Sequence, residues 1–138
     1  MKKPMNGSFL DSNVVVYAYS NDEPDKQTIA RRLIKTPGTF ISTQVLQEFC
    51  NATRNRLKGD WPAIREAFNE LRRKLLVHPN TAITVAEALR IAERYGFWFY
   101  DSLIVAAALE TGCTTLYSED LQEGQVIDGT LEIRNPFA

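Results

Sequence analysis

The chain's residue pattern predicts an α/β fold, with helices on both faces of a mainly parallel sheet. Three observations lead there. Short apolar runs such as Phe9-Leu10, Thr39-Phe40-Ile41 and Leu76-Val77 alternate with stretches of helical period, the alternation that builds parallel βαβ units. Right-handed crossovers between such strands place helices on both faces. The 138 residues, 44% hydrophobic and 24% charged, suit one domain large enough to bury a core. We expect one domain over residues 1–138, three-layered α/β/α, with a sheet of four or five strands. Residues 1–7 are expected to be flexible.

The elements follow in order. Ser8-Phe9-Leu10 is apolar and ends at Asp11, as a buried strand does; Val14 to Tyr19 then has room for one or two helical turns. Asn21-Asp22-Glu23-Pro24-Asp25 is a breaker. Asp25 is expected to cap a helix to about Lys35, with Ile29, Ala30, Leu33 and Ile34 on one face. Pro37-Gly38 turns the chain into a strand at Thr39-Phe40-Ile41. Ser42 or Thr43 caps the next helix, which carries Val45, Leu46, Phe49, Ala52 and Leu57 inward and stops at Gly59. Asp60-Trp61-Pro62 opens another helix, with Pro62 in its first turn. Leu76-Val77-His78 is a third strand. Thr84-x-x-Glu87 fits a capping box, and its helix, with Ala88, Leu89, Ile91 and Ala92, ends at Gly96. Tyr100 or Asp101 begins a helix whose run Leu103 to Leu109 is apolar on most sides, hence buried. Thr114 to Tyr117 is a fourth strand and Leu131-Glu132-Ile133 a fifth.

Composition narrows the chemistry. No apolar run approaches the roughly 18 residues that span a bilayer, and the first residues lack the apolar segment of a signal peptide; a cytoplasmic location is expected. Cys50 and Cys113 lie far apart, and one histidine with two cysteines makes neither a zinc set nor a strong Cys–His pair. The net charge of −1 hides an asymmetry: Lys26 to Lys74 carries +7 and the remainder −8. An acidic part beside a basic one suits a metal site next to a phosphate-binding surface. Arg54, Arg56, Lys58, Arg72, Arg73 and Lys74 are the candidates for that surface.

Topology brings four acids to one rim. Ligands of a parallel α/β sheet bind outside the carboxyl ends of its strands. Asp11 ends the first strand and Asp120 closely follows the fourth. Helices that feed parallel strands begin at the same edge, which places Asp101 there, and Glu48 lies in the first two turns of the helix after the second strand. Each acid alone also fits a plainer role as a cap, a turn residue or a surface charge. Together, as an all-oxygen set, they suit Mg²⁺ or Mn²⁺, and metal-assisted phosphodiester hydrolysis is the chemistry such a cluster performs.

The motifs around these acids resemble those of a known family. Phe9-Leu10-Asp11-Ser12-Asn13-Val14 resembles the opening motif of PIN domains, Gln47-Glu48-Phe49 the second, Phe99-Tyr100-Asp101-Ser102-Leu103-Ile104-Val105-Ala106-Ala107-Ala108 the third and most specific, and Leu116 to Gln125 the fourth. The closing Asn135-Pro136-Phe137 is similar to the VapC-type toxins of bacterial toxin–antitoxin pairs. The resemblance runs from about residue 8 to the end of the chain. It implies a central parallel sheet, a Mg²⁺- or Mn²⁺-dependent endoribonuclease acting on RNA, often a homodimer, and a small antitoxin protein that blocks the site. By position Asp11, Glu48 and Asp101 match the family's three core acids and Asp120 the more variable fourth, for which Glu119 and Glu123 compete. Asn13 and Ser118 are candidates for supporting a ligand or water. A dehalogenase-like phosphatase needs an acid where Asn13 stands. A phosphoreceiver module needs an acidic pair after the first strand and a lysine near the last. A housekeeping PIN nuclease without an antitoxin is the nearer alternative.

Overall fold

The structure is a computed structural model that describes residues 7–55 and 58–138. The expectations for residues 1–6, Arg56 and Leu57 lie outside the described residues. In chain order the elements are β1 Ser8–Leu10, α1 Ser12–Tyr17, α2 Pro24–Ile34, β2 Thr39–Ser42, α3 Thr43–Asn55, α4 Trp61–Lys74, β3 Leu76–His78, α5 Ala82–Tyr95, α6 Phe99–Glu110, β4 Thr115–Tyr117, β5 Val126–Ile127 and β6 Leu131–Arg134. The strands form one sheet in the order β3-β2-β1-β4-β6-β5. All neighbours are parallel except β5, which runs antiparallel to β6. The α/β class and the mainly parallel sheet are as the sequence predicts. The sheet is one strand larger, because β5 is two residues long and too short to carry a periodic signal.

β1 lies at the centre, with Phe9 beside Phe40 of β2 and Leu116 of β4. Phe9, Leu10, Ile41, Leu116 and Ile133 are fully buried. Strands buried on both faces are apolar throughout, which is why Phe9-Leu10 and Phe40-Ile41 read as continuous apolar runs, while β6, Leu131-Glu132-Ile133-Arg134, alternates. No helix among the described residues is long and apolar enough to cross a membrane.

The helix starts show which local signals win. Asp60 caps α4 by accepting from the Ala63 N–H at 2.9 Å, and Pro62 lies in the first turn. Ser42 Oγ accepts from the Val45 N–H at 3.3 Å at the head of α3. Two expected caps are corrected. α2 begins at Pro24, so Asp25 is already inside the first turn and caps nothing; its charge still favours the helix N-terminus. α5 is capped by Thr81, and the box is the pair Thr81 and Thr84, whose hydroxyls serve each other's backbone N–H. Glu87 instead meets Arg90. Leu89 lies on the exposed face of α5, opposite buried Ala88 and Ile91. Gly96 ends α5 at φ 77°, a left-handed conformation that side chains disfavour.

α6 is the buried helix. Every residue from Ser102 to Ala108 is buried. Its alanines let neighbours approach closely: α5 packs along it, and Ala88, Leu103 and Ala106 form a small core of their own with Phe99 against it. Ala106→Leu is expected to push α5 away from α6 and lower stability by roughly 1–3 kcal/mol. An unchanged urea midpoint would show that the packing is looser than described.

Candidate metal centre

Asp11 sits where β1 gives way to α1. Its backbone N–H extends the β1–β4 pairing by donating to the Tyr117 carbonyl at 3.0 Å. Its side chain caps α1, Oδ1 accepting from the Ser12 N–H at 2.7 Å. Oδ2 accepts from Ser118 Oγ at 2.8 Å, and Ser118 is fully buried just beyond β4. The same hydroxyl oxygen accepts from the N–H groups of Asp120 and Leu121 at 3.2 and 3.3 Å. Asn13 completes the junction. Its Oδ1 accepts from the Glu119 N–H at 3.1 Å and its Nδ2 donates to Asp120 Oδ2 at 3.2 Å. Asn13 and Ser118 thus lock the loop after β4 onto the end of β1 and set the position of Asp120.

Glu48 and Asp101 arrive from the helices. Glu48 stands in the second turn of α3 and accepts from Gln44 Nε2 at 3.0 Å. Asp101 lies in the first turn of α6. The four acids influence one another. Burial pushes the Asp11 carboxyl up to about 6, and the charges of Glu48 and Asp101 push the same way against the Ser118 and Ser12 hydrogen bonds. Asp101 is also raised, first by burial and then by the charges of Asp120 and Glu48. None of the four is ion-paired among the described residues. Asp11 is only 6% exposed, and a buried carboxylate without a cation is strongly disfavoured.

The rival acids are occupied elsewhere. Glu119 is bound by Lys26 Nζ at 2.5 Å and accepts from Tyr17 Oη at 2.8 Å. Glu123 accepts from the Asn135 N–H and lies 3.7 Å from Arg134. Asp120 alone of the three faces the other acids. Of the basic candidates, Arg72, Arg73 and Lys74 end α4 just before β3 begins. They lie at the edge where the parallel strands start, and the structure does not bring them to the acidic rim. Arg54 lies over the Trp61 ring at the far end of α3, and Lys58 is exposed.

The donor set fits a hard divalent cation: carboxylate oxygens supported by neutral amides and hydroxyls, with no ammonium or guanidinium bound to them among the described residues. The rim is open. Among the described residues no three acidic, histidine or cysteine side chains are already drawn in around one point, and like charges hold one another apart. Gln44, absent from the sequence-level candidates, carried one usable signal, its place four residues before Glu48 on the same helix face.

The PIN-domain profile matches residues 8–123. No curated protein sequence matches the chain significantly. A toxin–antitoxin complex from Klebsiella pneumoniae is similar in fold at TM-score 0.70 and 14% identity, covering 94% of this chain and 97% of that one. A sarcin–ricin-loop-cleaving VapC toxin of Mycobacterium tuberculosis matches at TM-score 0.66 and 20% identity over 82% and 91%. The VapBC complex of Rickettsia felis, bound to a promoter DNA fragment, matches at 0.67 and 20% over 94% and 98%.

The raised Asp11 carboxyl makes metal-free stability depend on pH. Its folded value lies above its unfolded one, so the native state binds the extra proton between about 4 and about 6. Ionised burial therefore costs about 3 kcal/mol at neutral pH, and the cost vanishes as pH falls below the unfolded value. Three acids act oppositely: Glu70 is lowered first by Tyr19 and Asp128 first by Arg90. The third is Glu119, where burial acts upward but Lys26 and Tyr17 outweigh it. Their contributions are lost only as pH falls below the ordinary carboxylate range. In EDTA the protein is expected to melt higher at pH 5 than at pH 7, and Asp11→Asn to remove most of that difference. A pH-independent melting temperature in the parent protein would contradict the burial described.

Proposed function

The chain belongs to the PIN-domain family, and on that premise we propose that it is a Mg²⁺- or Mn²⁺-dependent endoribonuclease serving as the toxin of a bacterial toxin–antitoxin pair. One observation carries the nuclease reading: a buried Asp11 carboxylate, with no ion-pair partner among the described residues, faces Glu48 and Asp101 at the carboxyl edge of the sheet. Asp11, Glu48, Asp101 and Asp120 would hold the metal. When bound, it supplies an activated water and neutralises charge that develops on the scissile phosphate. The chain's own groups prepare for this. Ser118 and the Ser12 N–H hold Asp11 in one orientation, Asn13 holds Asp120, and Gln44 holds Glu48. Arg54 and Lys58 remain proposed phosphate contacts away from the cleavage point, and Arg56 is kept beside them on its sequence position alone.

The toxin role draws its support from the fold neighbours, which include a toxin–antitoxin complex and a VapC toxin that cleaves the sarcin–ricin loop. A cytoplasmic location and a homodimer belong to the same proposal. Exposed Ile83, Leu89 and Trp98 offer apolar area to a second copy.

Pure protein incubated with cellular RNA is expected to cut it with Mg²⁺ or Mn²⁺ and to stop in EDTA. Asp101→Asn keeps the size and the helix start and is expected to lower cleavage at least about a hundredfold, since it weakens stabilisation made in the transition state. Cleavage by stripped protein in EDTA, or full activity of Asp101→Asn, would refute the metal mechanism.

Expression alone is expected to slow bacterial growth, and co-expression of the protein encoded beside it to restore growth. Harmless overexpression of an active enzyme would favour a housekeeping nuclease.

A further inference from the structure

We propose that Gln44 is a positioning residue of this centre, fixing the Glu48 carboxylate and clamping the start of α6 beside it. The inference rests on the metal-site reading of Glu48 and Asp101 and adds a residue to it. Gln44 stands in the first turn of α3 and is 6% exposed. Its Nε2 donates to Glu48 Oε2 at 3.0 Å and to the Tyr100 carbonyl at 3.0 Å. Those two oxygens therefore lie within about 6 Å of each other, spanned by one nitrogen. The residue after Tyr100 is Asp101.

Both partners are acceptors, so only one orientation of the amide works. Turning it over would set its oxygen against two oxygens. The working orientation leaves Oε1 buried with no hydrogen-bond partner among the described residues, which is destabilising. The bond to Tyr100 does not rescue a stranded backbone group either, since carbonyls inside a helix accept from the N–H four residues on. For folding alone, an apolar side chain of the same length serves this position as well or better. The two bonds instead set where α3 and α6 stand relative to each other, and with them the two acids.

Charge explains why an amide suits the task. Glu48 and Asp101 sit on different helices, and among the described residues no other hydrogen bond or ion pair ties them together. Lysine would hold Glu48 but cancel its charge and compete with a metal. Glutamate would repel it. Glutamine donates twice and leaves the carboxylate fully negative. Partners of this kind typically change metal affinity 10–100-fold when removed.

The test is calorimetric Mn²⁺ binding to EDTA-stripped, dialysed protein, with melting curves in EDTA as the control for folding. Gln44→Met is expected to weaken Mn²⁺ binding about 10–100-fold while leaving the metal-free melt close to that of the parent. Gln44→Lys, which keeps a donor, is expected to weaken it at least as much. In a Glu48→Gln background, Gln44→Met is expected to cost clearly less than it does in the parent, because part of its effect runs through Glu48 and only the clamp on α6 is left to lose. Parent-like binding by both Gln44 variants, with Glu48→Gln impaired, would overturn the role of Gln44 and spare the site. Full additivity in the double variant would overturn it too, as the mark of a purely structural residue. Parent-like binding by Glu48→Gln would overturn the metal-site reading itself.

Discussion

A carboxylate buried at the seam of two central strands must be neutralised, and Asp11 has no ion-pair partner among the described residues to do it. Strand pairing puts it there. β1 lies between β2 and β4, and the backbone of Asp11 continues the ladder to Tyr117. The side chain is thus carried into the protein by the same register that builds the core. Its hydrogen bonds to Ser118 and Ser12 lower the cost of ionisation without removing it. Such a site is poised to take up a proton or a cation, and Glu48 and Asp101 tilt the choice by adding negative charge.

The remaining features follow from holding those charges near one another. The loop after β4 is tied down by Ser118 and Asn13, so Asp120 joins the rim and Glu119 is turned toward Lys26 and Tyr17. α6 is buried from Ser102 to Ala108, and its alanines fix how closely α5 packs along it and hence the helix that carries Asp101. Gln44 spans the gap between α3 and α6. Apolar packing supplies the framework, and neutral donors orient the acids. Among the described residues the ion pairs are placed elsewhere, with Arg90 on Asp128 and Arg31 on Glu70.

Much of this was legible in the residues. The apolar runs located the strands because buried parallel strands need no polar face, and the acids at the strand ends follow from connectivity. Misses arose where two local signals competed. Thr81 and Thr84 both suit a cap, and the first of them takes it because the helix begins one residue after Thr81. Pro24 fits the first helical position so well that α2 starts ahead of Asp25. β5 escaped notice as a strand, although Asp128-Gly129 after Val126-Ile127 is a hairpin signal and both turn residues have positive φ. The choice among Glu119, Asp120 and Glu123 needed three dimensions, since it depends on Lys26 and Arg134 reaching in from remote parts of the chain or sheet. Gln44 was missed because a glutamine on a helix is usually a surface residue.

The account turns on the claim that these four acids form one cation site. Crystals soaked in Mn²⁺ and measured near the manganese absorption edge test it directly. The account predicts an anomalous peak about 2 Å from oxygens of Asp11 and Asp101, with Glu48 and Asp120 closing toward it. Manganese bound elsewhere on the surface, or no peak at the rim while the acids keep apart, would contradict it.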